Sequence, residues 1–124
     1  MNNLGQRVTS NASGNNAGFF SCTGKSGLTI SGNIITEAIV SNLKMISPID
    51  NSTKHMELKS VSISQTKFDL NFEDKNAEEE IPQYQIVAQK KQEGFYLGTL
   101  VESVGEARPS RESIYCTIYF TPAK

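Results

Sequence analysis

Tryptophan is absent from this chain of 124 residues, histidine occurs once, and there are two cysteines. Each shortage closes off a class of chemistry. With only His55 and no close pair of cysteines, no zinc-ligand set can be written from local spacing. Any Cys–His or Ser–His–Asp arrangement would need His55 as its base, yet His55 follows the polar run Asn51-Ser52-Thr53-Lys54 and reads as an exposed loop residue. The reading is therefore a non-enzyme, with no cofactor and no metal. The missing tryptophan also argues against an antibody-type sandwich, which places one beside its disulfide.

Excess charge is lacking as well. Twelve basic side chains against thirteen acidic ones leave a net charge of -1, so no global field draws the chain to nucleic acid or to an anionic membrane. Lys90-Lys91 and the pair Arg108, Arg111 are scattered and do not interleave with aromatics. No run approaches the roughly 18 apolar residues of a spanning helix. Met1 to Gly18 is mostly Asn, Gly, Ser and Thr, without the charged start and apolar core of a signal peptide. It reads as a flexible polar arm or a remnant of expression, since it has too little apolar surface to offset the cost of ordering it. Residues 19–124 are expected to form a single β-domain.

Three strings imitate motifs. Gly24-Lys25-Ser26 ends like a phosphate-binding loop, but the position that requires glycine is Phe19 and the following Leu28-Thr29-Ile30 looks extended rather than helical. Asp69, Asn71, Glu73 and Glu80 fall at four calcium-loop positions, but Asp74 stands where that loop needs glycine and Phe68-Leu70-Phe72 makes its first half a strand. The cluster Glu73, Asp74, Glu78, Glu79, Glu80 reads as a solvated acidic loop. Asn11-Ala12-Ser13 and Asn51-Ser52-Thr53 fit the N-glycosylation pattern, at a frequency expected by accident in a chain this rich in Asn, Ser and Thr.

What the sequence does have is alternation. Phe68, Leu70 and Phe72 alternate with Lys67, Asp69, Asn71 and Glu73, an apolar face against a charged one. Met56 and Leu58 share one parity and Val61 and Ile63 the other, so a bulge or a break is expected near Lys59-Ser60. Tyr84, Ile86 and Ala88 resume the pattern after Pro82, and Lys90 to Gly94 reads as a hairpin tip returning through Phe95-Tyr96-Leu97. Residues 35–46 are ambiguous. Ile35, Ile39, Leu43 and Ile46 make a helical stripe, but the β-branched content favours a strand. The last segment is the best defined: Ile114, Cys116, Ile118 and Phe120 occupy one face, Tyr115, Thr117, Tyr119 and Thr121 the other.

These elements predict an all-β domain of about seven or eight strands, an antiparallel sandwich or a partly open barrel, with one short helix near 35–46 as the alternative to a strand there. Cys22 and Cys116 each sit in a strand-like run at opposite ends of the folded region, so the expected disulfide ties the first strand to the last. Such a bond persists in an oxidising compartment, which predicts a periplasmic or secreted protein whose signal peptide is absent from this chain. The Tyr115, Thr117, Tyr119 face is amphipathic enough to be a binding surface. The leading expectation is a small exported, non-catalytic binding module acting on a protein or cell-surface partner. The alternatives are a structural subunit of an appendage, virion or phage assembly, and a small-molecule carrier or enzyme with a barrel cavity.

Overall fold

A computed structural model of the protein describes residues 17–121. The polar arm expected over residues 1–18 lies almost wholly outside the described residues, and the first strand already begins at Gly18. Nine strands follow one another: β1 (Gly18–Gly24), β2 (Thr29–Thr36), β3 (Ile39–Ile46), β4 (Thr53–His55), β5 (Glu57–Ile63), β6 (Lys67–Glu73), β7 (Gln83–Gln92), β8 (Phe95–Ser103) and β9 (Ser110–Phe120). All pairings are antiparallel, and the sheet order β4-β3-β2-β1-β9-β8-β7-β6-β5 curls into a nearly closed barrel. Among the described residues there is no helix.

The barrel is an up-and-down meander whose first and last strands pair in the middle of the sheet order. β1 lies between β2 and β9, and its ladder to β9 runs from Gly18↔Phe120 to Gly24↔Ile114. Cys22 stands directly opposite Cys116 in that register, and the two are bonded. β4 and β5 form the two ends of the sheet order, yet only Met56 separates them in sequence. They are two halves of one broken strand, the upper half pairing with β3 and the lower with β6. The Met56 N–H donates to the Leu43 carbonyl at 2.9 Å, a single bond across the break that leaves the ring nearly closed.

The helix considered for 35–46 is replaced by strands β2 and β3. Of the stripe Ile35, Ile39, Leu43, Ile46, only Leu43 is buried, while Ile35 and Ile39 stand about half exposed at 48% and 51%. The inward positions are Ile34, Val40, Leu43 and Met45. Two register shifts between β2 and β3, with Asn42 in the left-handed region at φ 55, move Leu43 one place out of strict alternation. A bulged strand thus imitates helical spacing. The predicted parity slip near Lys59 is likewise a bulge, since Leu58 pairs with Phe72 and Ser60 with Asn71.

Inside, alternation delivers a continuous apolar column. Phe20, Cys22, Ile30, Ile34, Phe68, Leu70, Phe72, Ile86 and Cys116 are almost fully buried. The Phe20 and Phe68 rings, from opposite sides of the barrel, meet at 5.2 Å between centroids, and Phe68 meets Tyr96 at 6.5 Å. Burying such rings contributes about 2–3 kcal/mol each. The column is a packed core rather than an open channel, as expected for the interior of a narrow barrel.

The barrel's two ends differ. Strands turn through residues 37–38, 64–66 and 93–94 at one end, and through 25–28, 47–52, 74–82 and 104–109 at the other. Gly94 takes φ 78 in the two-residue turn, a conformation only glycine adopts freely, which makes the expected β7–β8 hairpin tight.

Candidate outer binding face

Among the described residues, the outward side of β8, β9 and β1 is the part of the exterior where several aromatic rings gather. Registers dictate the arrangement. Leu97, Tyr115 and Thr23 form one row across the three strands, and Phe95, Thr117 and Ser21 form the next. Tyr119 and Phe19 form the third. Each of these points outward because its neighbours Tyr96, Ile114, Cys116, Ile118, Phe20 and Cys22 point in.

Half of the exposed large hydrophobics of the described residues lie here: Phe19 at 51%, Leu97 at 42%, Tyr115 at 44% and Tyr119 at 53%. The rings pair across strands. Phe19 meets Tyr119 at 5.3 Å and Phe95 meets Tyr115 at 6.0 Å, both tilted. Between these pairs lies a hydroxyl row, in which the Thr117 side chain donates to the Ser21 carbonyl at 3.3 Å. Such pairs stabilise the β1–β9 and β8–β9 ladders while leaving Phe19, Tyr115 and Tyr119 about half exposed.

A cleft of about 290 Å³ adjoins the face, lined by Thr23, Lys25, Leu97, Ser113 and Tyr115 over the backbone of Gly24, Gly98 and Ile114. Its upper wall is the 25–28 turn, and there the phosphate-loop resemblance fails for a physical reason. The Glu112 carboxylate accepts hydrogen bonds from the Ser26 backbone N–H at 3.3 Å and the Ser26 hydroxyl at 3.0 Å. The Ser26 amide already faces an anion, and the Lys25 and Gly27 amides are taken by the Ser113 and Gly24 carbonyls, so the turn offers a phosphate no free cradle. Gly24 leaves the space this carboxylate fills.

The neighbouring exterior, beyond β8, is of another kind. On β6 and β7 the Asp69 carboxylate accepts from the Asn71 amide at 3.1 Å and the Gln85 amide at 3.3 Å, and Asn71 also donates to Ser60 at 3.2 Å. Asp69, Asn71 and Glu73 therefore lie outward along β6 rather than in a loop around a cation. No group of three or more His, Cys, Asp or Glu side chains among the described residues is placed to hold a metal ion.

The rim with long loops holds the buried polar groups. Asp74 is 6% exposed, accepts the Asn76 N–H at 3.2 Å through Oδ1, and faces Lys54 Nζ at 3.5 Å through Oδ2. Tyr84 stacks on Phe72 at 5.2 Å and donates to Glu102 at 3.3 Å. Burial, and then the negative charges of Glu102 and Asp74, push the Tyr84 phenol well above its ordinary range. His55 is exposed on β4 opposite Lys44, and is not the loop residue expected. Asp50, five residues before it, turns its carboxylate to the Ser52 N–H at 3.0 Å, which holds its pKa low.

Tyr115, Thr117 and Tyr119 thus stand together outward on β9, and the fold adds Phe19, Phe95 and Leu97, which were not singled out from sequence. Their signal was present. Once Cys22 is opposite Cys116, antiparallel counting puts Phe19 opposite Tyr119 and Thr23 opposite Tyr115. Comparison with protein-family models, with curated proteins and with solved structures gives no match to this chain.

Proposed function

We propose that the protein is a small non-catalytic binding module that engages a protein or surface partner through the outward face of β8, β9 and β1. The observation that carries this reading is the gathering of half-exposed Phe19, Leu97, Tyr115 and Tyr119 on one face of a barrel whose interior is already packed. Large apolar side chains exposed together, rather than singly, mark interaction surfaces. The disulfide supports an extracytoplasmic setting, periplasmic or secreted, because reducing compartments do not maintain such bonds.

Photo-crosslinking tests this reading. A benzophenone side chain placed at position 119 or 115 is expected to capture a partner in the source organism. The same group at position 85, on the amide-rich side, is not. Absence of capture at both face positions, or equal capture at position 85, would sink the proposal.

A further inference from the structure

The face is small and neutral, and both properties bear on what covers it. Strands lie about 4.8 Å apart and rise about 3.4 Å per residue, so three strands over seven residues present roughly 14 by 24 Å, or about 350 Å² in projection. The barrel curves away on either side. A stable protein interface covers about 800 Å² per partner, more than twice that strip. A second copy of this chain, or any globular protein held by this face alone, is therefore a poor fit.

Phe19, Ser21, Thr23, Phe95, Leu97, Tyr115, Thr117 and Tyr119 include no carboxylate, ammonium or guanidinium. Amides border the strip on both sides, Gln89 opposite Leu97 on β7 and Asn33 opposite Phe19 on β2. Lys25 stands at the head of the cleft. The strip itself carries no cation for a polyanion, Lys25 and Lys44 standing only at its borders, and rings alternate along β9 with a hydroxyl row. A pyranose chain has the complementary pattern, with apolar C–H faces that stack on rings and a rim of hydroxyls that exchange hydrogen bonds with Thr, Tyr, Asn and Gln.

We infer that the strip docks a single chain of a neutral polysaccharide, stacked on Tyr115 and Tyr119 and bordered by Gln89 and Asn33. This rests on the face being the binding surface, as proposed above. The test is native affinity electrophoresis in gels containing hydroxyethylcellulose, xylan, soluble starch or glycol chitin, with heparin and polygalacturonate as charged controls. Retardation by at least one neutral polymer, unchanged by added salt, is expected. Tyr115→Ala and Tyr119→Ala each weaken it by roughly threefold to tenfold. Tyr119→Phe keeps the stack and most of the binding, and Ser62→Ala, outward on β5 across the barrel from β9, changes nothing.

Free migration in every neutral gel overturns the inference, as does retardation only by the charged polymers or retardation indifferent to both tyrosine substitutions. Sedimentation showing a dimer that Tyr115→Ala dissolves overturns it in favour of a second copy. If crosslinking at position 119 captures a protein while every neutral gel is blank, the polysaccharide falls and the face reading stands. If crosslinking is blank as well, both fall.

Discussion

One barrel is closed twice here, by very different means. The β1–β9 closure has seven residue pairs, is extended at its ends by Thr121 N–H to Ala17 O and Lys25 N–H to Ser113 O, and carries the Cys22–Cys116 bond. The β3–β4–β5 closure has three residue pairs, one further hydrogen bond at Met56, and no ladder between the lower part of β3 and β5. Burial follows the same division. Val40, Leu43, Met45, Met56, Val61 and Ile63 along the second closure are 4–8% exposed, whereas the inward Phe20, Cys22, Ile114, Cys116 and Ile118 of the first are 0–5% exposed, a small difference in the same direction. The bulges at Asn42 and Lys59, and the shortness of β4, are devices that keep an open edge from pairing with another chain. Opening of the native state is thus expected to begin at β4 and β5, while the closure that carries the aromatic face stays rigid.

The heaviest blow to this contrast is removal of the disulfide. Cys22→Ala with Cys116→Ala releases a cross-link spanning 94 residues, and the expected loss is about 4 kcal/mol, read from urea unfolding. Amide exchange supplies the finer reading. In the oxidised protein, β1 and β9 amides exchange only through global unfolding and β3 and β5 amides through smaller openings. In the double variant that gap narrows. Equal protection of the two closures in the oxidised protein would refute the contrast.

The strong closure was legible in the sequence and the weak one was not, for physical reasons. Strict alternation over Ile114 to Phe120, with a cysteine in phase, fixes both the strand and which side faces in. A disulfide partner then fixes the register, so the outer rows of the binding face follow by counting. Along β3, the bulge at Asn42 breaks the period on which such reading rests, and the exposed Ile35 and Ile39 disguise the inward set as a helical stripe. The parity slip near Lys59 marked the bulge within β5, and the break at Met56 left no mark of its own. Nothing local announced that the two halves of the broken strand pair with different neighbours, because pairing partners are set by tertiary contacts rather than by the segment itself.

Weakening the second closure should cost less than weakening the first. Met56→Ala removes the side chain that plugs the break while leaving its backbone hydrogen bond in place, and the expected loss is about 2–3 kcal/mol. Exchange should accelerate in β4 and β5 and stay unchanged in β1 and β9, with the aromatic face still binding. A loss of protection that spread evenly around the barrel would mean that the two closures open as one unit.

The smallest expected effect concerns the rim beside that closure, where Lys54 ties β4 to Asp74 and Tyr84 lies within reach of the same carboxylate. Tyr84→Phe deletes the bond to Glu102 and is expected to cost about 1 kcal/mol at neutral pH. Its pH dependence has a definite sign. Burial first, and the nearby carboxylates second, raise the folded-state pKa of the phenol above its unfolded value near 10, so the unfolded chain releases this proton before the folded one does. The contribution is complete below that value and drains away as pH rises beyond it. Wild-type stability should therefore fall with increasing pH in the alkaline range more steeply than that of Tyr84→Phe, the two curves converging as pH climbs. Parallel curves would show that Tyr84 gives up its proton as easily in the folded barrel as in the unfolded chain, and that the rim does not bury it as the geometry requires.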